Sequence, residues 1–168
     1  MLVLCINLFL EVLFVSAPLL KIYKRMQWLP FGQWLFSKAV CRKAPYFGSI
    51  KPTITTLEPG LCCATIPKRK AVFNHIGTIH AIAQCNLAEL CAGVMVDATV
   101  PHKTHRWIPK GMTVQYLKKA ETNLRAQASI ELPRQWQDKE DLIVPVEVFD
   151  EQGNKVFHAD INMYITAR

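Results

Sequence analysis

A single acid stands in the most apolar stretch of the chain. Glu89 is the only charged side chain between Lys70 and Asp97. On a helix its neighbours three and four positions away include no lysine or arginine that could pair with it. A carboxylate buried without a partner costs several kcal/mol, so the position suggests acid–base or nucleophilic chemistry. The alternative is an ordinary half-buried helix whose exposed face carries Glu89 into water.

Groups that could assist such an acid precede it within sixteen residues. Asn74, Gly77 and His80 stand just before the apolar stretch, and Ala81 follows. Gly77 permits a tight turn. A helix that begins here leaves its first N–H groups, near His80 and Ala81, without helical acceptors, and these polarise a carbonyl or an oxyanion. An amide, an imidazole, free backbone donors and a carboxylate therefore lie close together in the sequence.

The elements that must position these groups follow from the spacing of apolar residues. From Ile79 to Val94 they recur every three or four positions, which predicts a helix buried on most sides. Strand signals lie on both sides of this helix, and the segment 100–111 is expected to be a connection. The predicted strands are Ser49–Leu57, Leu61–Ile66, Met112–Ala120, Leu124–Leu132, Leu142–Phe149 and Val156–Thr166. Two strands, one long helix and four more strands indicate an α+β domain with the helix on one face of the sheet.

The N-terminal part has a different composition. Residues 1–20 are almost wholly apolar and are followed by Lys21, Lys24 and Arg25. We predict an N-terminal apolar helical segment over residues 1–40, with a short helix at 33–40, and a separate domain over 41–168. Residues 1–25 pack on the protein itself or contact a membrane at its surface or by spanning it.

Net charge and cysteine content limit the classes of partner and the cellular compartment that we expect. The 168-residue chain has a net charge of +7, which favours anionic partners such as acidic lipid or a phosphate-bearing cofactor. We expect no nucleic acid partner. The six cysteines have no C-x-x-C spacing, which predicts free thiols in the cytoplasm. The histidines have no zinc-like arrangement, so no metal is expected.

The spacing of the candidate residues resembles a known signature. Asn74, Gly77, His80, Ala81 and Glu89 match N-x-x-G-x-x-H, a small residue and an acid nine positions after the histidine, the pattern of hotdog-fold acyl-CoA thioesterases of the phenylacetyl-CoA type. The longer string N-H-I-G-T-I-H-A-x-A-x-x-N-L-A-E-L, with W-I-P-K-G-M downstream, is similar to a narrower, largely uncharacterised family of thioesterase-like proteins. Members also occur fused to acetyltransferase domains. The match covers about residues 30–168.

The resemblance implies a hotdog fold and a homodimer, or a dimer of dimers, with each active site shared between subunits. It implies hydrolysis of acyl-CoA or acyl-carrier thioesters, with CoA as part of the substrate and no separate cofactor. Glu89 would be the nucleophile or the general base, Asn74 would orient the water or thioester, and backbone N–H groups at Gly77 or Ala81 would polarise the carbonyl. His80 would fix the turn or act directly. The candidates for binding the CoA phosphates are Lys103, Arg106 and Lys110.

Two other classes of function remain open at this point. Hotdog dehydratases and hydratases use a histidine and an acid fourteen positions later, which is the spacing of His75 and Glu89. However, the Pro-rich approach to the helix in those enzymes is not present here. A non-catalytic acyl-binding or membrane-associated protein is the third class, and the apolar N-terminus is its only support.

Overall fold

The computed structural model describes residues 17–132 and 134–168. Its helices and strands are, in chain order, α1 (Pro18–Met26), α2 (Gly32–Lys43), β1 (Thr53–Glu58), β2 (Leu61–Ile66), α3 (Ala81–Thr99), β3 (His105–Tyr116), β4 (Leu124–Ser129), β5 (Glu140–Phe149) and β6 (Lys155–Ala167). Short 3-10 helices span Pro45–Ile50 and Lys70–Val72. The order of two strands, a long helix and four strands is the predicted one.

The six strands form one antiparallel sheet in the order β1-β2-β4-β5-β6-β3. β3 is therefore an edge strand. Eleven of its twelve residues have register partners in β6. Within residues 17–132 and 134–168 no strand lies beside its other edge. Such an edge is available to a further strand.

Helix α3 lies against the concave face of this sheet and forms the centre of the core. Leu87, Leu90 and Met95 are fully buried in one apolar cluster with the inward side chains of β6, such as Phe157 and Ile161. Each such side chain contributes about 1.5–3 kcal/mol when it is fully buried. The helix is long and apolar enough to span a membrane, but 67% of that stretch is buried within the protein, as in the core helix of a globular domain.

The structure corrects the prediction that residues 100–111 form a connection, because β3 begins at His105. Pro109 cannot donate a ladder hydrogen bond, and the register with β6 shifts between Pro109 and Gly111. Proline is tolerated in a strand at an edge or a bulge, and this position has both features. The bulge also interrupts the two-residue alternation by which a strand is recognised.

The two N-terminal helices pack on the outer strand β1. The rings of Tyr23 and Phe36 meet edge to face at 5.0 Å, and the Tyr23 hydroxyl donates to the Thr55 carbonyl at 2.8 Å. Helix α2 extends beyond the predicted range 33–40 at both ends. Residues 1–16 of the predicted apolar segment lie outside the described residues, and the division at residue 40 stays a prediction.

The close packing at Gly32, in the turn between α1 and α2, predicts that a side chain at this position destabilises the protein. A Cβ added at Gly32 would lie 1.7 Å from the Met26 carbonyl oxygen, so Gly32→Ala forces the backbone of the turn apart. Overpacking of this kind costs about 1–3 kcal/mol or more in the free energy of unfolding, which denaturant titration measures. Gly48→Ala is the matched control, because its nearest contact would be an ordinary 3.8 Å from Cys41 Cβ. Equal stability of the two variants would contradict this packing.

Candidate functional site

The loop that leads into α3 is built around the side chain of Asn74. Its Oδ1 accepts from the N–H groups of Ile76 and Thr78, both at 3.1 Å, and its Nδ2 donates to Thr78 Oγ1 at 2.8 Å. Gly77 has a φ of +78°, a left-handed conformation that favours glycine. Its N–H donates to the Asn74 carbonyl at 3.2 Å. Asn74 therefore holds the loop in shape, and the Gly77 N–H is already used within the loop.

The first turn of α3 has one free backbone donor. His80 is the N-cap, and its Nδ1 accepts from the Ile82 N–H at 3.0 Å. The His80 N–H donates to the Val72 carbonyl at 2.8 Å. The Ala81 N–H has no acceptor among the described residues. Of the two predicted carbonyl-polarising amides, the one at Ala81 is thus available at the helix N-terminus, where the dipole favours negative charge.

Glu89 lies two turns further along, on a partly exposed stripe of α3 that faces the edge strand β3. The side chain is half-buried, and among the described residues no donor forms a hydrogen bond or ion pair with its carboxylate. Its neighbours on the stripe are Cys85 on one side and Gly93 on the other. Both of them contact β3.

Two aromatic side chains of β3 lie against the positions before and after Glu89 on the stripe. The Tyr116 hydroxyl lies 3.2 Å from Cys85 Sγ, and a Cβ at Gly93 would be 3.2 Å from the Trp107 ring. Burial, followed by the Cys85 thiol, raises the pKa of Tyr116 to about 12, so its hydroxyl keeps its proton at neutral pH. The sequence prediction assigned neither aromatic to the site. Trp107 stood in the segment predicted to be a connection, and Tyr116 stood in a predicted strand whose position beside α3 depends on the tertiary structure.

A third residue that the sequence prediction left out is Asn86, on the other flank of the stripe. Its side chain is 5% exposed, donates to Ser49 Oγ at 3.3 Å, and leaves Oδ1 without a partner among the described residues. It lines a surface pocket of about 200 Å³ together with His80, Ile82 and Tyr46. Gln84, two residues earlier, is a second buried amide of this helix. Two amides in a mostly apolar helical stretch are the sequence signal that could have identified Asn86. The pocket begins beside the helix N-terminus.

The three predicted phosphate-binding residues do not join this group. Lys103 lies in the turn after the C-terminal end of α3. Arg106 donates to Thr166 Oγ1 at 3.1 Å, and Lys110 pairs with Asp141 at 2.9 Å and lies over the Tyr164 ring. These partners stand on the sheet face away from α3. The structure thus brings Asn74, Gly77, His80 and Ala81 together, places Glu89 two turns away, and separates the three basic residues from both.

The remaining metal-ligating and thiol side chains of the described residues do not form a second reactive site. No group of three or more metal-ligating side chains occurs within residues 17–132 and 134–168. The five cysteines in these ranges are free thiols. The hydrogen bond to Cys91, followed by burial and the charge of the neighbouring thiols, raises the pKa of Cys62. This thiol is therefore protonated and unreactive.

Comparison with known proteins places the chain in a family. A model for a domain of unknown function, DUF4442, matches residues 32–165. The chain belongs to this family. A crystal structure of a structural-genomics target is 44% identical, covers 89% of this chain and 99% of its own, and has a TM-score of 0.76. A search of the curated proteins finds no match.

More distant solved structures share the fold of this DUF4442 protein. A Pseudomonas aeruginosa protein of unknown function, described as a probable thioesterase, is 23% identical, covers 83% of this chain and 97% of its own, and has a TM-score of 0.73. A thioesterase from Haemophilus influenzae is 13% identical over 77% of this chain and 87% of its own, with a TM-score of 0.65. These similarities confirm the predicted hotdog fold and the predicted resemblance to its thioesterases.

The capping role of His80 can be tested by its effect on stability. His80→Ala removes the acceptor for the Ile82 N–H and should lower the free energy of unfolding by about 0.5–2 kcal/mol, which denaturant titration measures. His80→Asn supplies an equivalent acceptor and should retain the stability. His75→Ala, in the exposed part of the same loop, is the control. Equal destabilisation by His80→Asn and His80→Ala would contradict the capping role.

Proposed function

We propose that this protein hydrolyses thioesters of acyl groups with coenzyme A or an acyl carrier, with Glu89 as the nucleophile or the general base. The observation that carries the proposal is the half-buried carboxylate with no cationic partner among the described residues, on the central helix of a hotdog fold. Solved relatives of this fold named as thioesterases support the same class.

The chemistry needs a polarised carbonyl beside the acid. The Ala81 N–H at the start of α3 is suited to stabilise the oxyanion that forms when the thioester carbonyl is attacked. If Glu89 attacks directly, an acyl–glutamyl anhydride forms, the thiolate leaves, and water then hydrolyses the anhydride. If Glu89 acts as a base, it takes a proton from water, and the resulting hydroxide displaces the thiolate. Both routes yield a free acid and a thiol.

One subunit cannot supply both groups to a single carbonyl. Ala81 and Glu89 are eight residues apart on one helix, about 12 Å along its axis, which is more than a glutamate side chain spans. Two copies related by a two-fold axis would set the helix N-terminus of one against Glu89 of the other. The separation therefore supports an active site shared between subunits.

The free edge of β3 is our proposed contact between the copies. Its unpaired backbone groups suit antiparallel pairing with the same strand of a second copy. Tyr116, at the end of β3, and Leu117, which follows it, are 49% and 47% exposed in the single chain, and pairing would cover them. We propose a homodimer, or a dimer of dimers built from it.

Lys103, Arg106 and Lys110 remain our proposed contacts for the phosphates of CoA. Arg106 and Lys110 lie on the sheet face away from α3, and Lys103 lies in the turn after the C-terminal end of that helix. A CoA molecule could therefore contact them only if it extended from the shared active site across that outer face, or if they belonged to a neighbouring subunit. Lys110 is also occupied by Asp141, so Arg106 is the stronger candidate. The free thiols fit a reducing compartment, and we propose that the protein works in the cytoplasm.

Glu89→Gln is the direct test of the mechanism. The change preserves side-chain volume and removes a charge that has no partner among the described residues, so the free energy of unfolding should hold or rise. Loss of the general base should lower kcat by about 10²–10⁴-fold in an assay that detects free thiol from a panel of acyl-CoA thioesters. Glu121→Gln, at an exposed position, should leave kcat unchanged. Full turnover by Glu89→Gln would rule out the mechanism.

Mixing two inactive variants tests the shared site. Asn74→Ala disrupts the loop that presents the Ala81 N–H, and Glu89→Gln removes the acid. After unfolding and refolding of an equal mixture, half of the dimers are heterodimers and each has one intact site of two, so about a quarter of wild-type kcat should return. No recovery on mixing, with heterodimers shown by mass spectrometry, would place both groups in one subunit's site.

A further inference from the structure

The turn between α1 and α2 exposes large apolar side chains. Trp28 is 84% exposed, Phe31 81% and Leu29 54%, and we call these three residues the hairpin tip. Trp34 and Leu35, in the first turn of α2, continue the surface at 52% and 42% exposure. Soluble monomers seldom expose contiguous apolar patches of this kind without a partner.

The hairpin is anchored, so this exposure does not come from a helix pair detached from the core. Tyr23 and Phe36 are buried on its inner face. Gln33 Nε2 donates to the Thr55 carbonyl at 2.9 Å, and the Ile54 N–H donates to Ser37 Oγ at 2.8 Å. These bonds connect α2 to β1 and direct the tip outward from the sheet.

The charged side chains of the hairpin itself all carry one sign. Residues 17–43 contain six lysines and arginines and no aspartate or glutamate. The Lys38 ammonium lies 5.5 Å from the centre of the Trp34 ring. Glu58, on β1, lines a shallow pocket behind Trp28 and is the acid nearest the tip in that pocket. The six cations are Lys21, Lys24, Arg25, Lys38, Arg42 and Lys43.

We propose that the α1–α2 hairpin docks this protein on an anionic lipid bilayer, with the hairpin tip inserted at the headgroup level. Tryptophan and phenylalanine surrounded by lysine and arginine are the composition of interfacial membrane elements. The tip residues enter the acyl boundary, and the six cations meet anionic headgroups such as those of the cytoplasmic leaflet. A protein partner would need acids to match the cations and a pocket for both aromatics.

The apolar part of this surface, at residues 28–35, lies outside the predicted contact through residues 1–25, whereas three of its six cations, Lys21, Lys24 and Arg25, belong to both. Helix α1 separates the tip from Ala17 by nine residues, about 13 Å. Residues 1–16 lie outside the described residues. The proposal does not depend on the thioesterase activity, and substitutions at the tip should leave hydrolysis of a soluble thioester unchanged.

Vesicle sedimentation of the full-length protein tests the proposal. We expect binding to phosphatidylcholine vesicles that contain phosphatidylserine, little binding to pure phosphatidylcholine, and weakening by salt. The double substitution Trp28→Ser and Phe31→Ser should raise the apparent Kd at least about tenfold, since it removes the inserted apolar surface. Ile143→Ser, at another exposed apolar position (51%), is the matched control and should bind as the wild type does.

Charge reversal tests how much the lysines and arginines of the hairpin contribute to vesicle binding. Lys21→Glu, Lys24→Glu and Arg25→Glu together should weaken binding by about 100-fold or more, because each cation near an anionic surface contributes measurably. A control triple variant reverses three exposed lysines far from residues 17–43 in the sequence and should have a much smaller effect. These control positions are Lys118, Lys119 and Lys139.

Fluorescence locates the inserted group. Brominated lipids should quench the wild-type emission on binding, Trp28→Phe should lose most of this quenching, and Trp107→Phe should retain it. Unchanged binding in the tip and charge-reversal variants would overturn the proposal and assign membrane contact to residues 1–16. Absence of vesicle binding would also overturn the proposal. So would a concentration-dependent dimer that dissociates in the tip variants, because a second copy would then occupy this surface.

Discussion

Burial of the apolar helix α3 against a single concave sheet is the constraint on which the rest of the structure depends. Leu87, Leu90 and Met95 are wholly enclosed, and burial of such side chains is the main favourable contribution to folding. Along the stripe of α3 beside the edge strand β3, the helix is only partly covered. Glu89 lies on that stripe, so the packing that stabilises the fold also determines where a carboxyl group can reach solvent.

The same packing explains why the candidate site is incomplete in one chain. Loop bonds around Asn74 and the His80 cap orient the helix N-terminus, leaving the Ala81 N–H free. The helix is rigid over the two turns that separate this donor from Glu89. The proposed pairing of two copies through β3 would account together for the strand edge that has no neighbour among the described residues, the exposed apolar side chains, and the separation of Ala81 from Glu89.

The α1–α2 hairpin is held to the sheet on its inner face and exposes large apolar side chains at its tip. Its inner face is held to β1 by Tyr23 and Gln33, whereas its tip exposes Trp28 and Phe31. A large contiguous apolar patch on a surface marks a partner, and the uniformly positive charge of residues 17–43 favours the anionic partner that we propose. Docking through this hairpin and pairing through β3 use different surfaces, so both can operate together.

Local pattern was enough to predict α3, most strands and the hotdog resemblance, because helix and strand periodicity and the spacing from Asn74 to Glu89 are properties of short segments. It also singled out Glu89, since a lone charge is visible in the sequence. The start of β3 at His105 was missed because the bulge after Pro109 interrupts the alternation. Only the tertiary structure revealed the strand order, the free edge of β3, the aromatics beside Glu89 and the separation of Arg106 and Lys110 from α3. Those features depend on pairing between residues remote in sequence, which no local pattern encodes.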